Sequence, residues 1–473
     1  MSTFHSAISR REFMKGLGLA GVGVGASALV GPTFHDMDEM VAAPTAISRK
    51  PWWVKVVDTP PMPMDLSVLK PGRTKALPPT TPAQDNLGPY IAYFQKQFPD
   101  WKPSGHWSDY RNGHTAQQFA DIKWDALVSH PWMIPPPAMK PPYIMGMRPQ
   151  GFREYASWKE RGYSSRWQGT PEEALKICKV SAQLAGAADL GVIPVDDNFL
   201  RVMWGNNGTT QYEFGDVEDF VFTPNDIAPT KVVIPKTCKW YLHWTSRNPY
   251  WQANQYCATA GYEGIVSEHP YWVNTLQSIE NFLWGLGYLS LSNVHGTYQP
   301  SGYAGVMAGS SELGRAGYAM SPKYGLGMRA MWGFLTDLPL AETKPIDAGM
   351  WKFCHNCGIC AEECTFQSIP KGDPTWEAPS DYQYADRYNP GYLAWRNDTT
   401  KCHHCPVCMT VCPFSRNNPS DASIHDIVKA TTANTSVFNG FFAKMERTMG
   451  GNKFKHPDLV WEADFEPMGV WSE

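Results

Sequence analysis

Two periods alternate through the middle of the chain. Thr170-Pro171-Glu172-Glu173 sets an N-cap residue, a proline at the first helical position and a capping-box glutamate in succession. That start predicts a helix running through Ala174-Leu175-Lys176-Ile177 to about Ala187. Leu190–Val195 then reads as a buried strand, with Lys231–Ile234 and the aromatic Cys238–Thr245 as further strands. Between Trp272 and Leu286 apolar residues return at helical spacing (Leu276, Ile279, Leu283, Leu286), and Gly287 ends the run. Helices alternating with strands predict an α/β (α+β) core over residues 165–345.

The flanks follow neither period. From Pro51 to Pro149 proline is dense (Pro60-Pro61-Met62-Pro63, Pro78-Pro79, Pro135-Pro136-Pro137, Pro141-Pro142), which predicts an irregular wrapping segment with short helices over 44–164. Interleaved Trp, Tyr and Met argue that it packs rather than staying disordered. Gly302, Gly305, Gly309, Gly314, Gly317 and Gly325 crowd the stretch from 296 to 327. Such density permits close backbone approach to a bulky ligand, or simply marks a loop-rich stretch. Neither G-x-G-x-x-G after a strand nor G-x-x-x-x-G-K-[ST] occurs, so nucleotide binding is not indicated.

Residues 1–43 read as an address. Ser9-Arg10-Arg11-Glu12-Phe13-Met14-Lys15 precedes a Gly- and Ala-rich apolar stretch, Gly16–Gly31, that is too short and too weakly hydrophobic to span a membrane. Twin-arginine export carries proteins already folded, which suits metal cofactors inserted in the cytoplasm. Cleavage fits after Ala28 or Ala43, and Ala43 is favoured. No later stretch approaches the ~18 apolar residues of a spanning helix, so membrane attachment requires a partner.

At 473 residues the chain is long enough for two or three domains. A formal charge of -4 with 18% charged residues leaves no basic footprint, so no nucleic-acid partner is expected. The 20 Trp, 21 Tyr and 21 Phe suit a large flat cofactor and an apolar substrate pocket as well as a core.

Cysteine usage carries the sharpest chemistry. Cys354, Cys357, Cys360 and Cys364 form one C-x2-C-x2-C-x3-C run, and Cys402, Cys405, Cys408 and Cys412 form another, followed by Pro413. Three thiolates at this spacing wrap one iron–sulfur cube, and the fourth reaches a neighbouring one. The runs therefore predict two [4Fe–4S] clusters with crossed ligation. Cys354, Cys357, Cys360 and Cys412 hold the first, and Cys402, Cys405, Cys408 and Cys364 the second. Four-cysteine zinc sites instead use two C-x2-C pairs around a long insert. Thr365 replaces the usual proline after Cys364, which leaves the ligands intact. His355, His403 and His404 lie between ligands and read as solvated or supporting groups. Cys178, Cys238 and Cys257 remain, an odd set that argues against a disulfide framework.

Several segments look familiar: Arg10-Arg11-Glu12-Phe13-Met14-Lys15-Gly16-Leu17-Gly18, Pro51-Trp52-Trp53-Val54, and Thr336-Asp337-Leu338-Pro339-Leu340-Ala341. Thr343-Lys344-Pro345-Ile346-Asp347-Ala348-Gly349 and Val437-Phe438-Asn439-Gly440-Phe441-Phe442 complete the set. With these segments in this order, essentially the whole chain resembles the respiratory reductive dehalogenases. The resemblance implies a nitroreductase-like corrinoid-binding core and a C-terminal ferredoxin-like two-[4Fe–4S] domain over 346–430, with 431–473 as a tail packing on the core. It further implies a cobalamin-type corrinoid with its lower base off the metal, and no D-x-H-x-x-G sequence here offers cobalt a histidine. Electrons would come from a membrane donor complex, through both clusters to cobalt, and halide would leave an organohalide. A small integral-membrane anchor subunit would hold the chain on the outer face of the cytoplasmic membrane. Oligomeric state is left open.

The resemblance also names catalytic candidates. Arg329, in Tyr324-Gly325-Leu326-Gly327-Met328-Arg329 just before the expected Thr336–Leu340 strand, matches the family's active-site cation. Its permanent charge suits a departing halide or a neighbouring proton donor. The family's donor tyrosine falls on His269, so either His269 replaces it or a small shift brings Tyr271 into the site. Arg315 matches a recurrent arginine and reads as structural. Chlorinated ethenes and chlorinated benzenes both suit an aromatic-lined pocket, and the changed donor position leans toward the benzenes. An exported ferredoxin-like electron carrier without its own catalytic cofactor is the alternative. The long aromatic core ahead of the clusters argues against it.

Overall fold

The computed structural model describes residues 50–75, 88–101, 159, 161–226, 229–247, 269–293, 297–402, 405, 407–415, 422–449 and 454–462. The twin-arginine segment, Cys257, His403 and His404 lie outside the described residues. The first long helix is Pro171–Leu184, started as its sequence requires: Glu173 N–H donates to Thr170 Oγ1 at 3.2 Å, and Thr170 N–H donates to Glu173 Oε2 at 2.8 Å. Ala174, Cys178 and Ala182, four residues apart, form its buried face. It stops at Leu184, three residues earlier than expected, because Gly186 takes a left-handed conformation at φ 95 and the strand Ala187–Pro194 begins at once.

That strand edges a four-stranded antiparallel sheet in the order Ala187–Pro194, Trp240–Arg247, Met328–Thr336, Ser290–Ser292. Alternation divides the strands between two cores. Leu190, Val192, Leu242, Trp244, Trp332 and Phe334 face the helices Pro171–Leu184 and His269–Leu286. Ile193, Tyr241 and Leu335 face the short helix Ser301–Met307 and a second, five-stranded sheet. Trp244 and Trp332 sit opposite one another across neighbouring strands, with ring centroids 5.7 Å apart, and are fully buried.

One expected strand is corrected. Asp337–Leu340 leaves the sheet, and the strand runs earlier, over Met328–Thr336. Pro339 has no N–H for a ladder, and the Asp337 carboxylate accepts Leu289 N–H at 2.7 Å and pairs with Arg166 at 3.1 Å. Leu338 and Leu340 still bury themselves against the helices.

A third core surrounds the cysteine runs. Helix Met350–Cys357 packs against Asn439–Met449 and Ala422–Asn434, and the last of these continues across residue 430 without a break. The proline-rich segment wraps onto the same core through Val54, Met62, Tyr90, Phe94 and Trp101, and Lys55–Val56 pairs with Ile346–Asp347. Among the described residues, no helix is long and apolar enough to cross a membrane. Removing the reciprocal cap with Thr170→Ala should lower unfolding free energy by about 1 kcal/mol in a denaturant titration, with the m-value unchanged.

Candidate metal centre and cofactor site

The cysteines are placed by very short helices broken at defined points. Cys354 and Cys357 lie on Met350–Cys357, and Cys360 lies on Ile359–Glu362. Gly358 separates these helices in a left-handed conformation, φ 72, which turns the chain between two thiols. Cys408 lies on Val407–Thr410, and Cys412 follows it. The folding brings Cys354, Cys357, Cys360 and Cys412 around one pocket. Burial, then the charges of Cys354, Cys357 and Cys412, push the Cys360 thiol well above its ordinary range. Burial, then Cys405, Cys402 and Cys364, do the same to Cys408. Thiols that resist ionisation this strongly become thiolates only beside a cationic partner, which is the chemistry of an iron–sulfur ligand set.

The two groups differ in depth. Cys354, Cys357 and Cys412 are 7%, 8% and 7% exposed. Cys364, Cys402, Cys405 and Cys408 are all partly exposed. The first group lines a pocket with Arg315, Met320, Leu326, Phe353 and Phe414. The second receives polar contacts: Ser368 N–H donates to Cys364 Sγ at 3.3 Å, and Thr365 Oγ1 lies 3.8 Å from Cys405 Sγ. Tyr318 OH is 4.0 Å from Cys402 Sγ. His355 is exposed and packs edge-on against Trp351 and Trp395. Among the described residues, no three His, Cys, Asp or Glu side chains draw together around a single ion.

A hairpin, Glu312–Leu313 with Ala319–Met320, ties the deeper group to the core sheet. Buried Glu312 accepts Trp351 N–H at 2.7 Å and also Ala348 N–H, so it caps the helix that carries Cys354 and Cys357. Arg315 donates through Nε to the Cys354 carbonyl at 3.2 Å. It also donates to the Pro370 and Gly372 carbonyls at 2.9 and 2.8 Å, and lies 4.7 Å over the Trp395 ring. Arg315 is thus a clamp on the cluster region, as its structural reading anticipated. Glu312 was missed: an acidic residue before a glycine carries no signal that it will cap a helix 38 positions on.

The catalytic candidates are placed by backbone alone. Arg329 stands opposite Ser246, which also stands opposite Ala187. Helix His269–Leu286 has its N-terminal half at that end of the sheet, where Thr275 Oγ1 donates to the Ala185 carbonyl at 2.5 Å. The side chains of His269, Tyr271 and Arg329 lie outside the described set. Sequence reasoning also missed a group of buried polar side chains. His243, Thr245, Gln299 and Ser311 are at most 1% exposed, and their polar atoms have no protein partner within hydrogen-bond reach. A polar residue at each buried step of an aromatic strand, as in Trp240-Tyr241-Leu242-His243-Trp244-Thr245, was the available signal.

No family model matches the chain. It is 30% identical to a chloroethene reductive dehalogenase of Dehalococcoides mccartyi strain VS, over 99% of both chains. The chain belongs to the reductive dehalogenases. It is 28% identical to a trichloroethene reductive dehalogenase from another strain of that species, over 98% of both. A tetrachloroethene reductive dehalogenase of Sulfurospirillum multivorans is 31% identical over 40% of this chain and 37% of its own. Among solved structures, a reductive dehalogenase described as suggesting a mechanism for B12-dependent dehalogenation aligns with TM-score 0.54 and 15% identity. That alignment takes in 89% of this chain and 53% of the solved one. A catabolic reductive dehalogenase in complex with 3-bromo-4-hydroxybenzoic acid aligns with TM-score 0.52 and 16% identity, over 88% and 52%. The chain thus spans about half the length of these solved proteins and shares their mixed α/β fold.

For this reductive dehalogenase the Glu312 cap has a pH signature. Burial raises its carboxyl to about 7, with the Trp351 and Ala348 N–H groups opposing. A folded value above the unfolded one means that the native state holds the extra proton. The associated stability is therefore complete below about pH 4.5 and is lost as pH rises through about 7. Denaturation from pH 4.5 to 8 should show wild type losing on the order of 3 kcal/mol relative to Glu312→Gln. Parallel curves would show that Glu312 does not titrate there.

Proposed function

We propose that the chain removes halide, chloride foremost, from a small organohalide as the terminal reductase of anaerobic organohalide respiration. Two [4Fe–4S] clusters would feed electrons to a corrinoid held base-off in a nitroreductase-like core, the cysteine region acting as a ferredoxin-like domain. The gathering of Cys354, Cys357 and Cys360 with Cys412 of the second run around one pocket supports this reading, since a shared fourth ligand suits paired cubes. Cys354, Cys357, Cys360 and Cys412 are the ligands proposed for the first cluster; Cys402, Cys405, Cys408 and Cys364 are those for the second. The depth difference supports entry of electrons at the second, shallower set and exit from the first, which lies beside the Glu312–Met320 hairpin and the core.

When bound, the corrinoid supplies the low-valent cobalt that breaks the carbon–halogen bond. His269 or Tyr271 would deliver the proton to the carbon that loses halide. Arg329 would hold the proton donor's charge state and stabilise the anion as it leaves. Chlorinated ethenes are the favoured substrates, on the strength of the relatives' activities. Chlorinated benzenes are the second reading, favoured by the aromatic-rich composition. Twin-arginine export, a small membrane anchor subunit and a membrane electron-donating complex complete the proposal.

The deciding assay is halide release by the reconstituted protein with a strong reductant, across a panel of chloroethenes and chlorobenzenes. Release from at least one panel member, dependent on added corrinoid, is expected; none from any member would overturn the function. Crossed ligation is tested by Cys412→Ser and Cys364→Ser. Each should halve the iron, from about eight to about four per chain. Cys412→Ser should abolish the same electron paramagnetic resonance signal as Cys357→Ser, and Cys364→Ser the same signal as Cys405→Ser; Cys412→Ser sharing the signal lost in Cys405→Ser would rule crossing out.

A further inference from the structure

We propose that the Ser415 hydroxyl joins the deeper cluster to the core, donating to the Cys412 sulfur while accepting the Leu326 N–H, and that this bond raises the deeper cluster's reduction potential. The proposal rests on the two-cluster reading above and adds to it a positioning residue that lies outside both cysteine runs.

Ser415 ends the short 3-10 turn Pro413–Ser415, and its N–H donates to the Cys412 carbonyl at 3.0 Å. The turn folds the serine back over the last cysteine of the second run. Ser415 is 1% exposed, so bulk water does not serve its hydroxyl. Leu326 N–H donates to Ser415 Oγ at 3.1 Å. A hydroxyl has one proton to give and two acceptor positions. Leu326 fills an acceptor position, and the proton must be placed inside the protein. The Cys412 sulfur receives it. Burial raises the Cys412 thiol, and hydrogen bonds from the Phe414 N–H, the Ser415 hydroxyl and the Ser415 N–H oppose that rise.

The Leu326 end is fixed as firmly. Leu326 lines the same pocket as Cys354, Cys357, Cys360 and Cys412. Ser321 and Gly325 exchange two backbone hydrogen bonds of 2.8 Å, and Lys429 Nζ donates to the Lys323 carbonyl at 3.0 Å. A Cβ on Gly325 would lie 2.4 Å from Ser415 N, so this turn rests directly on the serine's backbone. The strand Met328–Thr336 begins two residues after Leu326.

Depth makes this bond matter. Reduction adds an electron to a cluster that its thiolates already make anionic, and a buried site opposes added charge. The deeper set would therefore be the harder to reduce if nothing compensated. A hydrogen bond donated to a thiolate strengthens as the sulfur gains charge, so it favours the reduced state. Ser415 thereby keeps the deeper cluster reducible by the shallower one. The hydroxyls nearest the shallower set are different ones, Thr365 beside Cys405 and Tyr318 beside Cys402, so Ser415 acts on one cluster alone.

The test is a potentiometric titration of the full-length, cluster-reconstituted protein, followed by electron paramagnetic resonance. The deeper cluster is the signal missing from Cys412→Ser. At a fixed potential, Ser415→Ala should lower the reduced-to-oxidised ratio of that cluster about three- to tenfold, a downward shift of about 30–60 mV for one electron. The other signal should keep its midpoint, and Ser415→Thr, which retains the hydroxyl, should return the deeper cluster close to wild type. An unshifted midpoint in Ser415→Ala, or an equal shift of both signals, would overturn the proposal. So would a Ser415→Thr midpoint as low as that of Ser415→Ala, which would assign the effect to packing. If Ser415→Ala takes up less iron than wild type, wild type itself decides. After exchange into heavy water, pulsed electron–nuclear double resonance of the deeper signal should lose a strongly coupled proton, and no loss would overturn the bond. Wild type that holds well under about eight iron atoms per chain would bring down the two-cluster reading instead.

Discussion

In the cysteine region, burial first and neighbouring thiols second raise the pKa of Cys360 and Cys408 well above the ordinary range. Iron must displace these protons to take the thiolates as ligands, so cluster binding releases protons. Cys412 of the second run lines one pocket with Cys354, Cys357 and Cys360 of the first, which ties the two runs together across the segment from 365 to 401. The proline-rich N-terminal segment and the helices after residue 421 pack around this knot and shield its deeper half.

A reductase must also hold its electron path at a set distance from the chemistry. Three residues on or beside one small hairpin do this from different directions. Glu312 binds the N-terminus of the helix carrying Cys354 and Cys357, and Arg315 binds that helix's Cys354 carbonyl together with the 370–372 loop. Gly325 meets the second run: a Cβ there would lie 2.3 Å from the Phe414 backbone, so only glycine admits this approach. The same hairpin leads directly into Met328–Thr336, the strand that bears Arg329. Motion of the deeper cluster relative to the core is thereby suppressed.

The two faces of the core sheet have different tasks. The face under the long helices is packed with Trp244, Trp332 and aliphatic side chains and supplies stability. The opposite face carries glycines and unpartnered polar groups where an ordinary core would carry apolar ones.

Local chemistry made much of this legible in the sequence. The Thr170 capping box, the helix ending at Leu286, the main strands and the ligand spacing of the cysteines all depend on residues within a few positions of one another. Periodicity reports such dependence directly. The wrongly placed strand at Thr336–Leu340 fits the same rule, because Asp337 is turned out of the sheet by Leu289 and Arg166, both far away in sequence. What only tertiary structure decided was equally non-local. It set which cysteine group lies deep, how Glu312 and Arg315 grip the cluster helix, and how Ser415 comes to lie between Cys412 and Leu326. Burial and partnership are properties of where distant segments meet, and one-dimensional spacing carries no record of that meeting.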